Sequence, residues 1–349
     1  MLQSAFVKTD MSATGIITLA HGNGGTQMQE LLRRVVWPRL GNAVLAEETD
    51  AAVLPAPAGA ALVFTTDSFV VQPLFFPGGD IGHLAVCGTI NDVAMMGAQP
   101  AALALALIIE AGLPMATLAQ IVDSIAATAQ AANVPIVTGD TKVVEAGKAD
   151  GVYITTSGVG WRTGAAPAGW RSVQVGDAIL VSGTLGHHGI AVMAARAHLP
   201  FTSTLRSDAA PLHELVGEIV AVDDGVRWLR DPTRGGLAAA LNELAEQTGG
   251  AIELDGAAIP VAEDVRGAAE LLGLDPLYLA NEGRCVVVCA AAAADAVLAR
   301  MRRHALGRMA ARIGTVSAVG GRGSVVMTTS FGGRRIVDMP SGEQLPRIC

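Results

Sequence analysis

The chain has 349 residues, 51% of them hydrophobic and 16% charged, which is length for two domains of roughly 150 residues and too apolar for global disorder. A net charge of −8 and 4% aromatic residues argue against the basic face or base-stacking platform of a nucleic-acid binder. The longest dense apolar run, Ala101 to Ile109, is about half of the roughly 20 residues a membrane-spanning helix needs. No signal peptide is recognised, and four scattered cysteines (Cys87, Cys285, Cys289 and Cys349) make no disulfide framework, so the expected setting is the cytoplasm.

Residues 1–15 read as a flexible leader. The turn His21-Gly22-Asn23-Gly24-Gly25 then opens a helix expected over 26–40, with Thr26 as N-cap and Met28, Leu31, Leu32 and Val35 on one face. Residues 42–66 read as two strands around the break PAPAG, the second running into Asp67. A helix is expected over 81–96, stopped by Gly97, then a buried strand over 101–109 and a helix over 115–132. A strand over 134–138 is expected to end in Gly139-Asp140-Thr141-Lys142, and another covers 153–159. The Gly-, Ala-, Pro- and Arg-rich segment 161–176 marks a domain boundary. Beyond it, strands are expected at 178–182, 251–254, 284–290, 311–317 and 323–328, with helices near 189–197, 213–221, 235–247 and 291–304. Pro340, Gly342 and Pro346 make 338–349 a mobile tail, neither helix nor central strand. The fold class is therefore α/β (α+β) with two domains, 16–162 and 175–337.

Several motifs are absent: a phosphate-binding G-x-x-x-x-G-K-[ST], a complete dinucleotide fingerprint, and a zinc-binding His pair on a helix. Cys285 and Cys289 flank three valines in a strand, share one face and read as core. His187-His188 is either a phosphate contact or a polar turn before a helix.

Four aspartates sit beside small or hydroxyl residues: Asp50, Asp67, Asp92 and Asp140. Asp92 lies in an otherwise apolar helix, where a lone carboxylate is costly without a cation or donor. Either each caps a helix or closes a turn, or several converge on Mg²⁺. The turn Gly22 to Gly25 before a helix offers N–H groups to phosphate. Lys142 is a solvated lysine, a positive charge for a phosphoryl group, or a base. Asp231-Pro232-Thr233-Arg234-Gly235-Gly236 is a second phosphate cradle or a helix-start turn. Glu282, in Asn281-Glu282-Gly283-Arg284, is a turn carboxylate or a positioned base. Cys349, at the end of the Gly/Pro-punctuated tail, is a thiol that about 11 extended residues could carry some 35 Å, which suits a group carrier.

Taken together, His21-Gly-Asn-Gly-Gly25, Thr49-Asp-Ala-Ala-Val-Leu54, Thr65-Thr-Asp-Ser68, Gly88-Thr-Ile-Asn-Asp-Val-Ala-Met-Met-Gly97, Gly139-Asp-Thr-Lys142, Asp231-Pro-Thr-Arg-Gly-Gly236, Asn281-Glu-Gly283 and Pro346-Arg-Ile-Cys349 resemble the HypE family of hydrogenase maturation proteins. That family lies within the ATP-using superfamily of aminoimidazole ribonucleotide synthetase. The resemblance spans residues 16 to 349. It implies the two-domain synthetase-like fold, with N-terminal domains pairing into a barrel-like dimer core and ATP near that interface. It implies metal positions at Asp50, Asp67, Asp92 and Asp140, and nucleotide contacts at Gly22, Asn23, Gly24, Gly25, Asp67, Asn91, Asp92, Asp140 and Thr141. It implies Cys349 as carrier thiol, with Lys142 and Glu282 beside the reacting group. The implied reaction is ATP-dependent dehydration of an S-carbamoyl group to a thiocyanate, with ATP and Mg²⁺ as cofactors, HypF as loading partner and HypC–HypD as acceptor. The alternatives are another ATP-using kinase or synthetase of the superfamily, which needs no terminal thiol, or a non-catalytic nucleotide-binding scaffold, which would not turn over ATP.

Overall fold

The structure is a computed structural model that describes residues 15–349 other than 24, 48, 50, 165–166, 168, 198–204, 223–224 and 342–346. Residues 1–14 of the expected leader, and Gly24 and Asp50 among the expected site residues, lie outside the described residues.

The first half opens with a helical stretch, Thr26–Leu31, that widens into a π turn over Leu32–Val36 and resumes at Trp37–Leu40. It then lays down β1 (Ala61–Phe69), α1 (Ile81–Met95), β2 (Gln99–Glu110), α2 (Met115–Ala131), β3 (Ile136–Val144) and β4 (Val152–Arg162). The sheet order is β1-β4-β2-β3, antiparallel except for the parallel pair β2–β3. In one chain this sheet is open, with β1 and β3 at its edges.

The second half contains β5 (Ala178–Val181), α3 (His187–Arg196), α4 (His213–Val220), β6 (Val226–Arg230), α5 (Gly236–Thr248), β7 (Ala251–Asp255), α6 (Glu263–Leu272), β8 (Val286–Cys289), α7 (Ala294–Arg303), β9 (Ala311–Ala318), β10 (Ser324–Thr328) and β11 (Arg334–Ile336). Its seven strands run in the order β11-β10-β7-β9-β5-β8-β6. Every residue of β5 and β8 is buried, as expected of strands covered on both faces. Cys285 and Cys289 lie in the core, and burial pushes the Cys285 thiol up to about 12.

Helix α1 joins the two halves. Asp80 caps its N-terminus, accepting from the N–H groups of Gly82 (2.7 Å) and His83 (3.1 Å). Gly97, at φ +69°, ends it by returning its N–H to Ala94 O at 2.7 Å. Apolar all round, α1 buries every residue except His83 and Asp92, because it packs on β1, β4 and α2 and also on α4 of the second half.

Two expectations differ from what forms. Among the described residues, only the second strand expected within 42–66 exists. Leu45–Glu47 is a 3₁₀ turn instead, and Asn42 Oδ1 shapes it by accepting from the N–H groups of Val44 (3.0 Å) and Leu45 (3.1 Å). Residues 139–142 do not end a strand. They lie inside β3, because β2 continues to Glu110 and supplies backbone partners for them. Among the described residues no helix is long and apolar enough to cross a membrane.

Pairing register fixes which side chains can meet. Asp67, Thr156, Leu105 and Gly139 form one row, on the α1 face of the sheet. Ser68, Thr155, Ala106 and Asp140 form the next row, one residue along, and so point to the opposite face.

Candidate active site

A pocket of about 510 Å³ opens where β1 and α1 meet the second half. Asp67 comes from β1, Gly88 and Asp92 from α1, and Asp231, Arg234 and Glu282 from the second half; Cys349 sits among them. Gly88 lets the Phe69 ring pack close to α1, since a Cβ there would stand 3.0 Å from the ring and push it aside by a few tenths of an ångström. Phe64 and Thr66, on the outward side of the edge strand β1, also line the cavity.

Negative charge is crowded here. Burial raises the Asp92 carboxyl; the Thr65 hydroxyl, donating at 2.8 Å, opposes that rise, and Asp67 adds to it. Asp231 is buried and pushed up to about 7, by burial first and then by Asp92. Glu282 is raised well above the ordinary carboxylate range by burial, then by Asp231 and Asp208, and its Oε1 has no hydrogen-bond partner. The Cys349 thiol is also pushed well up by burial and by Glu282, although Arg234 Nη1 donates to its sulfur at 3.7 Å. Cys349 therefore rests here as a neutral thiol, and Glu282 beside it holds its proton more tightly than an ordinary glutamate.

The Asp231 shift has a stability consequence with a definite sign. The folded chain holds this proton longer than the unfolded chain does, so the associated stability is complete below the unfolded value of 3.8 and is lost as pH rises to about 7. The interval corresponds to about 4 kcal/mol. Asp231→Asn is therefore expected to melt several degrees above the unsubstituted protein at pH 8, with the gap closing as pH falls towards 4. Calorimetric melts across that range check it; a gap independent of pH contradicts it.

The structure brings Asp67, Asp92, Glu282 and Cys349 together. It does not bring Lys142, Asp140 or Thr141 to them in one chain. Lys142 Nζ donates to both Asp140 oxygens at 2.7 Å, and that contact holds the Asp140 carboxyl below the usual range. This exposed pair lies on the sheet face opposite Asp67, on the far edge strand, with two strands between it and β1. Thr141 turns the other way and is buried. Gly22 presses the glycine turn against β3 beside Lys142; a Cβ there would lie 2.6 Å from Val143 N. The turn, with Asn23 following and Gly25 as N-cap of Thr26–Leu31, thus belongs with Lys142 and not with the thiol.

Asn91 has a different task from the expected nucleotide contact. Buried at the seam, it donates to Ala210 O and Glu282 O (both 3.1 Å) and accepts from Leu212 N–H at 2.7 Å. Its amide ties α1 to the second half and has no donor left for a ligand. Among the described residues no group of three or more His, Cys, Asp or Glu side chains is arranged to hold a metal ion. Even so, the carboxyls of Asp92 and Asp231, each raised in part by a neighbouring aspartate, are hard oxygen donors beside Asp67, and so they fit a divalent cation.

Asp208, which no sequence motif marks, lies outside the pocket lining but supports Glu282 and helps to raise it. Buried, it accepts from the Glu282 N–H at 3.2 Å and stands 3.5 Å from Arg284 Nε, too poorly aligned for a hydrogen bond. Asp231 and Arg234 do lie in a marked motif, but a cradle or a turn at 231–236 gives neither of them a place beside the sulfur.

Comparison with known proteins matches residues 48–161 to the AIR synthase related protein N-terminal domain and residues 174–326 to the corresponding C-terminal domain. The chain is 56% identical over 340 residues to the carbamoyl dehydratase HypE of Cupriavidus necator, covering 96% of this chain and 95% of that one. Among solved structures, hydrogenase maturation protein HypE in complex with ATP superposes with a TM-score of 0.91 at 44% identity, covering 95% of this chain and 99% of the other. HypE from a HypE–HypF complex gives 0.77 at 43% identity, covering 90% and 100%.

Proposed function

Because this chain belongs to the HypE family of carbamoyl dehydratases, within the AIR synthase related proteins, we propose that it removes water from a carbamoyl group carried on Cys349 and uses ATP to do so. The observation that carries the reading is the position of Cys349, seated against Glu282 and Arg234 in a pocket shared with Asp67 and Asp92. A thiol held there presents its own cargo to the reacting groups.

A carbamoyl oxygen is a poor leaving group, and transfer of the γ-phosphoryl group of ATP converts it into a good one. In the first step the carbamoyl oxygen bonds to the γ-phosphorus, ADP leaves and nitrogen gives up one proton. In the second, the C–O bond breaks, phosphate leaves with the electron pair, and nitrogen gives up its second proton to form the nitrile. Glu282 is the base for these protons. Burial makes its carboxylate a stronger base than an ordinary glutamate, and it lies beside the sulfur, whereas Lys142 does not. Arg234 faces the charge developing on the cargo. Bound Mg²⁺ would neutralise charge on the transferred phosphoryl group, with Asp67 and Asp92, joined by Asp231, supplying oxygen ligands. Asp50, outside the described residues, and Asp140 remain the other proposed metal positions.

Lys142, Asp140 and the Gly22–Gly25 turn serve the nucleotide from a second copy of the chain. The outward sheet face carries exposed Leu62, Phe64 and Ile108, and Phe64 also lines the pocket. A partner pairing through that face, with the first halves (16–162) closing the barrel-like dimer core, therefore also roofs the thiol's chamber. HypF loads the thiol, and a HypC–HypD scaffold receives the cyano group for the iron of a nickel–iron hydrogenase. A carrier thiol and the buried Cys87, Cys285 and Cys289, none of them in a disulfide among the described residues, suit the reducing cytoplasm.

The test is the mass of the C-terminal peptide after incubation with the carbamoyltransferase, carbamoyl phosphate and ATP, with and without Mg²⁺. The carbamoyl adduct is expected to become lighter by one water only when ATP and Mg²⁺ are both present. An adduct that never loses water sinks the dehydratase reading, and loss without Mg²⁺ sinks the metal.

A further inference from the structure

Arg347 and Ile348, the two residues before the carrier thiol, are held by groups with no part in the chemistry above. His188 is fully buried in α3, edge-on to the Phe76 ring, and its Nε2 lies 2.7 Å from the carbonyl oxygen of Ile348. A carbonyl only accepts, so Nε2 carries the proton. Burial keeps the ring neutral, so Nδ1 accepts from the Ser207 hydroxyl at 2.8 Å. Ser207 Oγ in turn accepts from Ala209 N–H at 3.1 Å, which fixes the tautomer through a complete chain of bonds.

At the end of α3, Arg196 Nη2 donates to Arg347 O at 2.7 Å and to Gln72 O at 2.8 Å. Gln72 N–H also donates to Arg347 O, at 3.3 Å. Arg347 is held at φ +53°, a left-handed conformation that non-glycine residues avoid, and its guanidinium pairs with Asp150. The Ile348 side chain is 3% exposed in the core of the first half. The strained backbone persists because these partners over-determine it, and a released tail would relax.

We propose that His188 and Arg196 are positioning residues that latch the tail, setting how long Cys349 stays in its pocket before returning to the loading partner. This rests on the carrier reading. The latch grips main-chain carbonyls and the Ile348 side chain and touches nothing on the sulfur. It therefore holds thiol, carbamoyl and cyano forms alike, and a contact equally strong in all three sets one dwell time that does not depend on the cargo.

The test is alkylation of the full-length protein with iodoacetamide, read peptide by peptide. In Arg196→Ala, Cys349 is expected to react about tenfold faster, as follows from losing a charge-assisted hydrogen bond, while Cys87, Cys285 and Cys289 stay protected. Arg196→Lys should recover part of the protection. With cargo, the Arg196→Ala variant should accept the carbamoyl group at least as fast as the unsubstituted protein, yet dehydrate it more slowly. Opposite effects on the two steps are not what a general loss of structure produces. Asp150→Asn, on the surface, supplies a second variant expected to move the same way if His188→Ala does not fold. Unchanged Cys349 alkylation in both Arg196→Ala and Asp150→Asn overturns the latch, as does simultaneous exposure of all four cysteines. Because alkylation needs neither ATP nor carbamoyl phosphate, failure of the latch and failure of the dehydratase reading are separable.

Discussion

Cys349→Ala is expected to abolish cyano-group formation while leaving the melting temperature within a degree or two, since only one sulfur in the lining of a pocket is lost. A paired experiment carries more information. The register of the four-stranded sheet puts Lys142 and Asp140 on the face away from Asp67, with the sheet between them. If a second copy supplies Lys142, a mixed dimer of one Cys349→Ala chain and one Lys142→Ala chain contains one complete site: the sulfur of the second chain with the lysine of the first. In an isologous pair that site works at about half the rate of the unsubstituted dimer, although each homodimer is inactive. A mixed dimer as inactive as its parents shows that the site does not draw Lys142 from the partner. Normal thiocyanate yield from Cys349→Ala removes the carrier altogether.

Glu282→Gln is the second large effect. Glutamine keeps the shape, and the backbone ties of residue 282 to Asn91 and Asp208 do not involve its side chain. What disappears is the proton acceptor beside the sulfur. Dehydration is expected to fall by about 10² to 10⁴, with ATP affinity and Cys349 protection unchanged. Stability should rise above neutral pH, because a carboxyl whose folded value is raised costs stability once pH passes the unfolded value and its ionisation is forced. In the unsubstituted protein, dehydration should increase with pH as Glu282 loses its proton. A Glu282→Gln variant with undiminished turnover would reassign the base.

Much of this site is legible in the amino-acid sequence, for identifiable reasons. A single carboxylate inside the apolar run of α1 has to meet a donor or cation, and Asp92 meets Thr65 and the pocket. Glycine-punctuated motifs before helices mark turns, and the turn at 231–236 does precede α5. What the letters conceal is sidedness. Residues 139–142 look like a loop after a strand, yet they are strand, and their pleat sends Asp140 and Lys142 away from the thiol. That outcome depends on strand order and register, which no local pattern encodes. The family resemblance implies Asn91 as a nucleotide contact beside Asp92, but one residue on a helix is a 100° turn, enough to point its side chain into the seam. Strand β6 is hidden in the sequence because Arg227, Trp228 and Arg230 mask its apolar alternation. Helix α6 is hidden because Glu263, Asp264, Arg266 and Glu270 interrupt it, leaving only Val265, Ala268 and Ala269 to be buried.

The Asn91 weld has a kinetic corollary. Clamshell enzymes open about a hinge once per cycle and so dictate the sequence in which reactants arrive. Here, swinging the halves apart would strip one buried amide of three partners, at a cost of several kcal/mol. Rigid-body breathing is thereby suppressed, and traffic through the chamber is left to a short strap of polypeptide. Cycle time is then governed by strap length and stiffness, quantities that linker engineering can tune without touching any reacting atom.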